Sequence, residues 1–540
     1  MPGALPVENP HALTLTLGPV AHGGHCVARH EGRVIFVRHG IPGEVVRVAL
    51  TEHDDDASFW RADVTEVLEA SADRVPHFWA EADSLRTAAA GQQPVGGAEF
   101  GHISRPRQRR LKAEVLAEQL HRLAGIELDG GTGAGGHSNS PSGLLAAGVE
   151  DLDGGDGDRV GSARDLPAGL GWRTRAGFAV TAAGGPAEPG RLGMHAHRSE
   201  AVLPVRAMPL AGAEINGLRL WEIDLTGITR IEVSAPANGS APLVLLATDP
   251  QLSEKARGLT LKRIARQLQA NAAGNQGAEG SEAASAVRVS VAGWVPESGA
   301  LTLISGRGRV SETAVGHEFR VSAGGFWQIH RRAPDILTRA VMDLLTGGLA
   351  GADGSSSPGG SGRSAGSGGS AGHAGTGSEA VGYLFPGATV ADLYAGAGVF
   401  SALLADAVGP TGSVLSVEGS AGSSKDARTN LHAASQVEIR QGRVERVLHE
   451  RSGTPASGFD AIVLDPPRAG AGKNVVRQLI ASAPRAIAYV SCDPASFARD
   501  VGYFRAAGWN LSKLRAFDLY PHTHHLETVA LLTPGAGPIG

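Results

Sequence analysis

The sequence predicts a multidomain α/β protein: an N-terminal OB-like β-barrel, a mixed α+β central domain and a C-terminal Rossmann-like domain. Three observations predict this fold class. Short strands of alternating polarity lie between glycines near the N-terminus, strands and helices alternate in the last third, and Gly-rich tracts interrupt the chain between these regions. A chain of 540 residues also exceeds what one hydrophobic core usually fills.

Residues 1–72 carry the alternating pattern that predicts the barrel. The strand-like stretches are Leu13–Leu17, Val34–Val37, Val45–Leu50 and Val64–Leu68. OB-type barrels bind nucleic acid on one face. The segment is nevertheless acidic, with three consecutive aspartates at 54–56, so a purely structural barrel remains the alternative interpretation.

Residues 73–346 have a mixed pattern that predicts a central domain. It includes a helix over Arg107–Leu123 and strands at Leu243–Ala247 and Val287–Val291. Gly, Ser and Asp dominate about 129–165, where no core is expected, which predicts an insertion. Residues 347–380 form a second Gly/Ser tract, which we interpret as a linker.

Residues 381–540 alternate between strands and helices, which is typical of a doubly wound parallel sheet. We expect strands at Thr389–Tyr394, Val414–Glu418, Ala461–Asp465, Ala486–Cys492 and Thr528–Leu532. We expect the intervening helices to begin at Val399, Ser423, Lys473 and Ser496. Ligands of such sheets bind at the carboxyl ends of the strands, so candidate site residues belong there.

The charge balance gives no global sign of a polyanionic partner, because 49 basic residues face 54 acidic ones. One local cluster of basic residues is either an RNA contact or a solvated helix face: Arg105, Arg107, Arg109, Arg110, Lys112 and Arg122. Two distant cysteines imply no disulfide framework, and no apolar run reaches the length of a membrane span. We therefore expect a cytoplasmic protein, and we infer no obligate protein partner.

A glycine-rich turn, Asp392 to Gly398, closes the first strand of the C-terminal region and opens a helix. Glu418 ends the next strand, where a carboxylate can accept hydrogen bonds from ribose hydroxyls. The pair favours a nucleoside-containing cofactor. S-adenosylmethionine (SAM) fits better than NAD, because the full G-x-G-x-x-G spacing is missing and SAM has no pyrophosphate to bind.

Three further motifs follow later strands of the same region. Asp465-Pro466-Pro467-Arg468 ends an apolar strand, and the prolines stiffen the turn that presents the carboxylate. Cys492 leaves the next strand and is a candidate nucleophile. Glu527 supplies a carboxylate before the last strand, in a segment whose histidines are too few to predict a metal site.

These motifs together closely resemble the RNA (uracil-5-)-methyltransferase family, SAM-dependent enzymes of tRNA and 23S rRNA. The matching segments are Ser491–Pro494 with Ala498–Asp500, Asp465–Arg468, Asp392–Tyr394 and His522–Glu527. Ile41–Val46 also resembles the TRAM domain, an OB-like RNA-binding barrel. The resemblance implies that residues 381–540 are a class I methyltransferase domain and that 23S rRNA or tRNA is the partner.

The resemblance also implies roles for individual residues. Gln328, in a segment like the family's cofactor-contacting one, would hold SAM together with Tyr394, Glu418 and Asp465. Cys492 would be the nucleophile and Glu527 the general base, with Asp465 counted in the catalytic set as well. Thiolate addition at uracil C6 gives C5 enolate character, so that C5 can attack the methyl group.

Uracil is favoured over cytosine, because cytosine-5 RNA methyltransferases carry a second cysteine where this chain has Arg468. Two alternatives stay open: an RNA-binding protein with a degenerate methyltransferase site, and a methyltransferase of a non-RNA substrate. Ribonuclease treatment would separate the latter from an RNA methyltransferase.

Two departures from the family pattern concern sulfur and charge. Many members bind an iron–sulfur cluster through four cysteines, but this chain has Val75, Val95, Ala98 and Met208 in the matching segments, so no cluster is expected. Asp493 replaces the usual Asn beside the nucleophile. Its negative charge would raise the pKa of the thiol unless another group compensates it.

Overall fold

The computed structural model describes residues 12–54, 56–128, 145, 148–152, 169–184, 188–197, 199–274, 289–347, 382–451 and 458–535. Most of the predicted insertion and nearly all of the predicted linker lie outside these residues. None of the described helices is both long and apolar enough to cross a membrane.

The N-terminal region forms a five-stranded sheet around its own apolar core. Its strands are β1 (Ala12–Thr16), β2 (Cys26–His30), β3 (Arg33–Arg38), β4 (Val45–Glu52) and β5 (Phe59–Glu69). The order is β1-β4-β5-β3-β2, with β3 and β5 parallel and the other pairs antiparallel. An isolated antiparallel bridge joins Val20 to Cys26, the first residue of β2. Alternate strand residues such as Leu15, Ile35 and Val48 fill the interior of the sheet. We refer to this unit as the N-terminal sheet.

A long helix connects the N-terminal sheet to the C-terminal region. After the short α1 (Ser84–Ala89), helix α2 spans Arg105–Ala124, close to the predicted range. Leu111 packs with Val20 and Ile41 of the N-terminal region. Leu116 and Leu120, farther along α2, belong instead to the core of the C-terminal region. The helix therefore contacts both regions through different turns.

The central region contains a seven-stranded sheet. The two-residue strand β6 (Val149–Glu150), which precedes it in the chain, pairs with the C-terminal sheet described below. The sheet contains β7 (Arg175–Val180), β8 (Leu192–His195), β9 (Val202–Pro204), β10 (Ile228–Ser234), β11 (Leu243–Thr248), β12 (Ser290–Val295) and β13 (Ala300–Ser305). Its order is β13-β12-β11-β10-β7-β8-β9, and only β11 and β12 pair in parallel. Helices α3 (Ala213–Asn216) and α4 (Glu254–Gly274) lie within this stretch.

A two-stranded hairpin joins the central region to the C-terminal one. It consists of β14 (Arg309–Ala314) and β15 (His317–Ser322), and α5 (Ala333–Leu345) follows. The backbone N–H and the hydroxyl of Ser322 donate to the carboxylate of Asp426 at 2.8 and 2.6 Å. These bonds fix the end of the hairpin against the C-terminal region.

The C-terminal region is an eight-stranded sheet with helices on both faces. Its first elements are β16 (Thr389–Leu393), α6 (Val399–Val408), β17 (Ser413–Glu418), α7 (Ala421–Asn430), β18 (Val437–Gln441) and α8 (Val444–Arg451). The remainder are β19 (Ala461–Leu464), α9 (Gly472–Ala481), β20 (Ala486–Ser491), α10 (Pro494–Ala506), β21 (Trp509–Phe517) and β22 (Glu527–Pro534). The order is β18-β17-β16-β19-β20-β22-β21-β6.

Five adjacent strands of this sheet, from β18 to β20, are parallel, and β22 is antiparallel to both β20 and β21. The strand order reverses between β16 and β19, the place where open α/β sheets bind ligands. The apolar interiors of the central strands are fully buried, as in Ile462 and Ile487 toward one face and Val463 and Ala488 toward the other.

Two predicted boundaries are corrected by the structure. Residues 148–152, placed by the sequence in the insertion, include strand β6 at the edge of the C-terminal sheet, where Glu150 pairs with Arg515. Helix α5, predicted to belong to the central domain, packs its apolar face on the C-terminal sheet through Leu337 and Val341. Composition identified the low-complexity character of the insertion but not the short segment that the sheet binds.

Candidate active site

Cys492 and Glu527 lie beside each other at one edge of the C-terminal sheet. Ser491, the last residue of β20, pairs with Thr528 of the antiparallel strand β22. The Thr528 hydroxyl also donates to the Ser491 carbonyl at 3.1 Å. Because Cys492 follows Ser491 and Glu527 precedes Thr528, the register brings the thiol and the carboxyl to adjacent strand ends.

Glu527 is a buried carboxyl with one close donor. Its side chain accepts a hydrogen bond from the Tyr520 hydroxyl at 3.0 Å, and the residue is 2% exposed. The pKa of Glu527 is raised to about 8, chiefly by burial and also by the nearby Asp465, against the lowering effects of Tyr520 and Arg468. The carboxyl therefore takes up and releases a proton near neutral pH, as a general base requires.

The pKa values of Cys492 and Asp465 are raised as well. Burial raises the pKa of the Cys492 thiol to about 12, with upward contributions from Glu527, Asp465 and Asp493 and a lowering one from Arg468. Burial likewise raises the pKa of Asp465 to about 7. Three acidic groups thus share a site in which each disfavours ionisation of the others.

A cavity of about 170 Å³ opens onto Cys492, and we call it the thiol cavity. Its lining combines three parts of the chain: the turn at His22–Gly24, the α2 residues Leu111 and Lys112, and Arg468 with His524 from the C-terminal region. The nucleophile predicted from the sequence is therefore reachable through a polar opening that the N-terminal region helps to form.

A second cavity lies on the other side of the Asp465–Arg468 turn, and we call it the glycine-loop cavity. Gln328, Tyr394, Gly396 and Asp465 line it, with the ring of Phe326. Asp465 lines this cavity while Arg468 lines the thiol cavity, so one short turn separates the two. Three of the four residues predicted to hold SAM are thereby brought together.

Tyr394 has a backbone conformation that is rare for a side chain of its size. Its φ of +66° lies in the left-handed region, directly after β16. A side chain in this region is strained, so it persists only where the surrounding structure holds it, and such residues are frequent at ligand sites. Burial also raises the pKa of Tyr394 to about 12, so the phenol is neutral at physiological pH.

Glu418, the fourth predicted SAM residue, ends β17 and contacts the glycine loop rather than lining the cavity. Its carboxylate accepts hydrogen bonds from the backbone N–H of Gly396 at 2.9 Å and of Ser420 at 2.6 Å. These two bonds hold the glycine loop against the end of β17, and the remaining lone pairs of the Glu418 side chain are left for a polar ligand group.

Asp500 holds the turn that carries Asp465. Its fully buried carboxylate accepts hydrogen bonds from the Ala471 backbone N–H at 2.7 Å and from the Tyr489 hydroxyl at 2.9 Å. Gly470 has a φ of +76°, and a Cβ there would lie 2.5 Å from an Asp500 oxygen. The glycine is required where the turn passes over this carboxylate.

Known proteins with similar sequences identify the family of this chain. A family model described as tRNA (Uracil-5-)-methyltransferase matches residues 454–534, which include Asp465, Cys492 and Glu527. An uncharacterized RNA methyltransferase of Streptomyces avermitilis is 37% identical over 96% of this chain and 98% of its own length. The chain belongs to the SAM-dependent RNA (uracil-5-)-methyltransferase family.

More distant relatives agree with this membership. The 23S rRNA (uracil(1939)-C(5))-methyltransferase RlmD of Pectobacterium atrosepticum is 27% identical over 99% of this chain and 96% of its own. The crystal structure of Pyrococcus abyssi tRNA (uracil-54, C5)-methyltransferase in complex with S-adenosyl-L-homocysteine superposes with a TM-score of 0.60. It covers 96% of this chain and 99% of its own at 17% identity, so it shows that the fold is shared.

The basic cluster of this RNA methyltransferase is engaged largely within the protein. Lys112 is fully buried and donates to Asp518 at 2.6 Å and to the Tyr520 carbonyl at 3.0 Å. The nearby arginines pair with acidic partners: Arg105 with Asp151 and Asp518, Arg107 with Glu114, Arg109 with Asp151 and Arg110 with Asp73. The pairing favours an ion-paired helix face, largely covered by the protein, over a bare RNA-binding patch.

The residues at the family's cluster positions do not suit an iron–sulfur group. Val95, Ala98 and Met208 are buried in one apolar cluster of the central region, at most 3% exposed, and Val75 lies nearer the surface. Apolar side chains fill this space, and none of them can donate a thiolate. Among the described residues, no group of three or more His, Cys, Asp or Glu side chains is arranged to hold a metal ion.

Several residues at the site of this methyltransferase were not predicted from the sequence. His22, Lys112 and His524 line the thiol cavity, and Tyr520 donates to the general-base candidate. His22 and Lys112 lie hundreds of residues from Cys492, and Lys112 was noted only as a member of the basic cluster. A histidine just before two turn glycines carries no local signal, because its role depends on which surface the turn contacts.

Proposed function

We propose that this methyltransferase transfers the methyl group of SAM to C5 of a uridine in structured RNA, through a covalent bond between Cys492 and uracil C6. The observation that carries the proposal is the adjacency of Cys492 and Glu527 across β20 and β22, next to the turn that bears Asp465. The names of the relatives support 23S rRNA or tRNA as the substrate class.

The residues lining the glycine-loop cavity suit SAM. Gln328 and Tyr394 offer polar groups, Asp465 and Glu418 offer carboxylates, and the loop backbone lies between them. SAM bound there would supply an electrophilic methyl group and a positive sulfonium charge. We assign the thiol cavity on the other side of the turn to the target base.

The reaction assigns one step to each side chain. The Cys492 thiol releases its proton to solvent as the sulfur adds to uracil C6, and the electron pair of the C5–C6 bond shifts to C5. C5 then takes the methyl group, the methyl–sulfur bond of SAM breaks, and S-adenosylhomocysteine is left. Glu527, as carboxylate, then removes the C5 proton, the C5–C6 double bond re-forms and the C6–S bond breaks. The thiolate is returned, and Glu527 leaves the cycle protonated.

The uracil must leave its base stack to reach the thiol, at a cost of a few kcal/mol that is smallest in single-stranded loops. A loop or bulge of a folded RNA is therefore the expected substrate. Because RNA of this kind lies in the cytoplasm, we expect the enzyme to act there.

A labelling experiment tests the proposed activity. RNA from cells lacking the protein is incubated with radiolabelled SAM and either the wild type or Cys492→Ala, and 5-methyluridine is mapped in the product. We expect label in 5-methyluridine with the wild type and loss of at least 100-fold, roughly, with the variant. Full transfer by Cys492→Ala would exclude the thiol mechanism.

The same experiment separates the two alternatives. SAM binding without transfer to any RNA would favour an RNA-binding protein with a degenerate site. Transfer that survives ribonuclease treatment of the substrate would favour a non-RNA acceptor. Intact Cys492, Asp465 and Glu527 in one site argue against the first alternative.

A further inference from the structure

One ion pair connects the N-terminal region directly to the residue beside the nucleophile. The His22 imidazole Nε2 lies 2.9 Å from the Asp493 carboxylate Oδ2, across 471 positions of sequence. His22 lies in the turn between β1 and β2, and Asp493 directly follows Cys492. Both line the thiol cavity. The side chains are 41% and 23% exposed, so solvent reaches the pair.

Packing holds the His22 turn in place independently of the ion pair. Gly24 has a φ of +79°, and a Cβ there would lie 2.6 Å from the Cβ of His524 and 3.1 Å from the Phe100 ring. Val20, just before the turn, packs on Leu111 of α2. His22 therefore meets Asp493 because the whole turn is seated on the C-terminal region.

Both oxygens of the Asp493 carboxylate are occupied. One accepts the backbone N–H of Ser496 at 2.8 Å and caps α10, and the other faces His22. Although burial opposes ionisation, these partners hold the pKa of Asp493 down at about 2, so the carboxylate is charged. It stands one residue from a thiol that already faces Glu527 and Asp465, with Arg468 as the cation that opposes them.

The His22 imidazole is biased toward its protonated form. The hydrogen bond with Asp493 raises the pKa of His22, burial and Arg122 lower it, and the charges of Asp493 and Glu118 raise it, with a net upward shift. Arg122 and Glu118 belong to α2, which packs beside the turn. The cation is therefore present below the raised pKa and is lost as pH increases through it.

We propose that His22 is a positioning residue for the methyl-transfer reaction: its imidazolium holds the Asp493 carboxylate and offsets the negative charge beside the Cys492 thiol. The proposal rests on the proposed function in taking Cys492 as the nucleophile. It explains how the chain tolerates Asp where the family has Asn, because the compensating charge comes from the N-terminal region. Seating of that region thereby tunes the nucleophile.

Alkylation of Cys492 tests the proposal without RNA or SAM. Iodoacetamide reacts with the thiolate, so the initial rate at about pH 7 reports the ionised fraction. Peptide mass spectrometry separates Cys492 from Cys26, which is buried and 1% exposed. The proteins compared are wild type, His22→Ala, Asp493→Asn and the double variant. His30→Ala, on β2 of the same sheet and away from the thiol cavity, is the matched control.

We expect His22→Ala to alkylate about three- to tenfold more slowly than wild type, equivalent to a rise of roughly half to one unit in thiol pKa. Asp493→Asn, which keeps the cap on α10, should alkylate at least as fast as wild type. The double variant should match Asp493→Asn, because no carboxylate is left to offset. The ratio of wild type to His22→Ala should fall toward one as pH rises through the His22 pKa.

Two results would overturn the proposal. The first is a His22→Ala protein that, with an unchanged melting temperature, alkylates at the wild-type rate at every pH. The second is a double variant as slow as His22→Ala, which would assign the effect to packing of the turn. Alkylation that follows the expected pattern while no covalent RNA adduct forms would retain the coupling and reject only the proposed function.

Discussion

At the scale of single residues, the site contains three acidic groups, and ionisation of any one of them raises the pKa of the others. Burial and mutual repulsion raise the pKa of Cys492, Asp465 and Glu527 together. Such a site favours its protonated state until positive charge arrives, and Arg468 is one cation that lowers the pKa of the thiol. We propose that ionisation of the thiol is coupled to binding of a cationic ligand in the neighbouring cavity.

Replacing Glu527 with Gln is expected to stabilise the protein while it impairs turnover. The pKa of Glu527 is raised to about 8 in the folded protein. The folded protein therefore loses stability as the pH rises from the pKa of Glu527 in the unfolded chain to its pKa in the folded protein. At about pH 7, Glu527→Gln should increase the free energy of unfolding by on the order of 2 kcal/mol.

Thermal unfolding at several pH values measures this effect. The melting temperatures of wild type and Glu527→Gln should coincide near pH 4, roughly, where both side chains are neutral, and diverge above it. Tyr520 can still donate to the amide oxygen, so the hydrogen bond is kept. If Glu527→Gln were less stable than wild type at neutral pH, the Glu527 carboxyl would be ionised in the folded protein, contrary to this prediction.

At the scale of elements, helix α2 is the part that joins the regions. Its N-terminal turns contact the N-terminal region, its middle contributes Lys112 to the thiol cavity, and Leu116 and Leu120 pack into the C-terminal core. Lys112 is fully buried, and its ammonium group is satisfied by Asp518 and the Tyr520 carbonyl. This contact fixes the segment that ends at Glu527.

Lys112→Met is therefore expected to be strongly destabilising, because it removes the ammonium group that lies 2.6 Å from the buried Asp518 carboxylate and leaves only more distant arginines near it. The expected loss is about 3 kcal/mol, measured by urea unfolding. Lys112→Met with Asp518→Asn should recover part of it. Arg110→Ala, which breaks an exposed pair on the same helix, is the control and should change stability by less than about 1 kcal/mol. If Lys112→Met and Arg110→Ala lowered the free energy of unfolding by the same amount, this account would be contradicted.

The elements of the C-terminal region were largely predictable from sequence, and the reason is local. The strands at Ala461 and Ala486 are buried on both faces, which makes them continuous apolar runs with a polar residue at the end. The strand at Thr389 is almost as buried, although it contains Asp392. Strands β18 and β21 were missed because their exposed or edge positions allow charged side chains, as in the sequence Val437–Gln441. Strand β2 was missed in the N-terminal sheet for a similar reason.

The candidate site was predictable only in its C-terminal half. Cys492, Asp465 and Tyr394 follow strands of one sheet, so their chain positions alone place them at the same edge. His22 and Lys112 reach the site through packing between regions, which no local pattern encodes. The charge of the basic cluster was visible in the sequence, but its acidic partners Asp151 and Asp518 were not.

At the scale of the whole molecule, the methyltransferase is organised around two cavities separated by one turn. The C-terminal region supplies the proposed nucleophile and base, the hairpin of the central region leads to Gln328, and the N-terminal region helps to line the thiol cavity. Residues of all three regions thus line the two cavities. We propose that an RNA loop enters from the side where the N-terminal and C-terminal regions meet.

The purified protein is expected to be colourless and free of iron. Val95, Ala98 and Met208 fill the matching segments with apolar side chains, and Cys26 and Cys492 are the two cysteines of the chain. Absorbance near 400 nm, roughly where iron–sulfur clusters absorb, and elemental analysis for iron would measure this on protein purified without oxygen. A brown protein with stoichiometric iron would show that ligands other than these positions hold a cluster.

Trapping with 5-fluorouridine-substituted RNA tests the central claim most directly. Fluorine at C5 cannot be removed as a proton by Glu527, so a thiol bonded to C6 cannot leave after methyl transfer. With SAM present, we expect a stable protein–RNA complex whose cross-linked peptide contains Cys492, and none with Cys492→Ala. Failure of the wild type to form this adduct with RNA that it methylates in unsubstituted form would contradict the account.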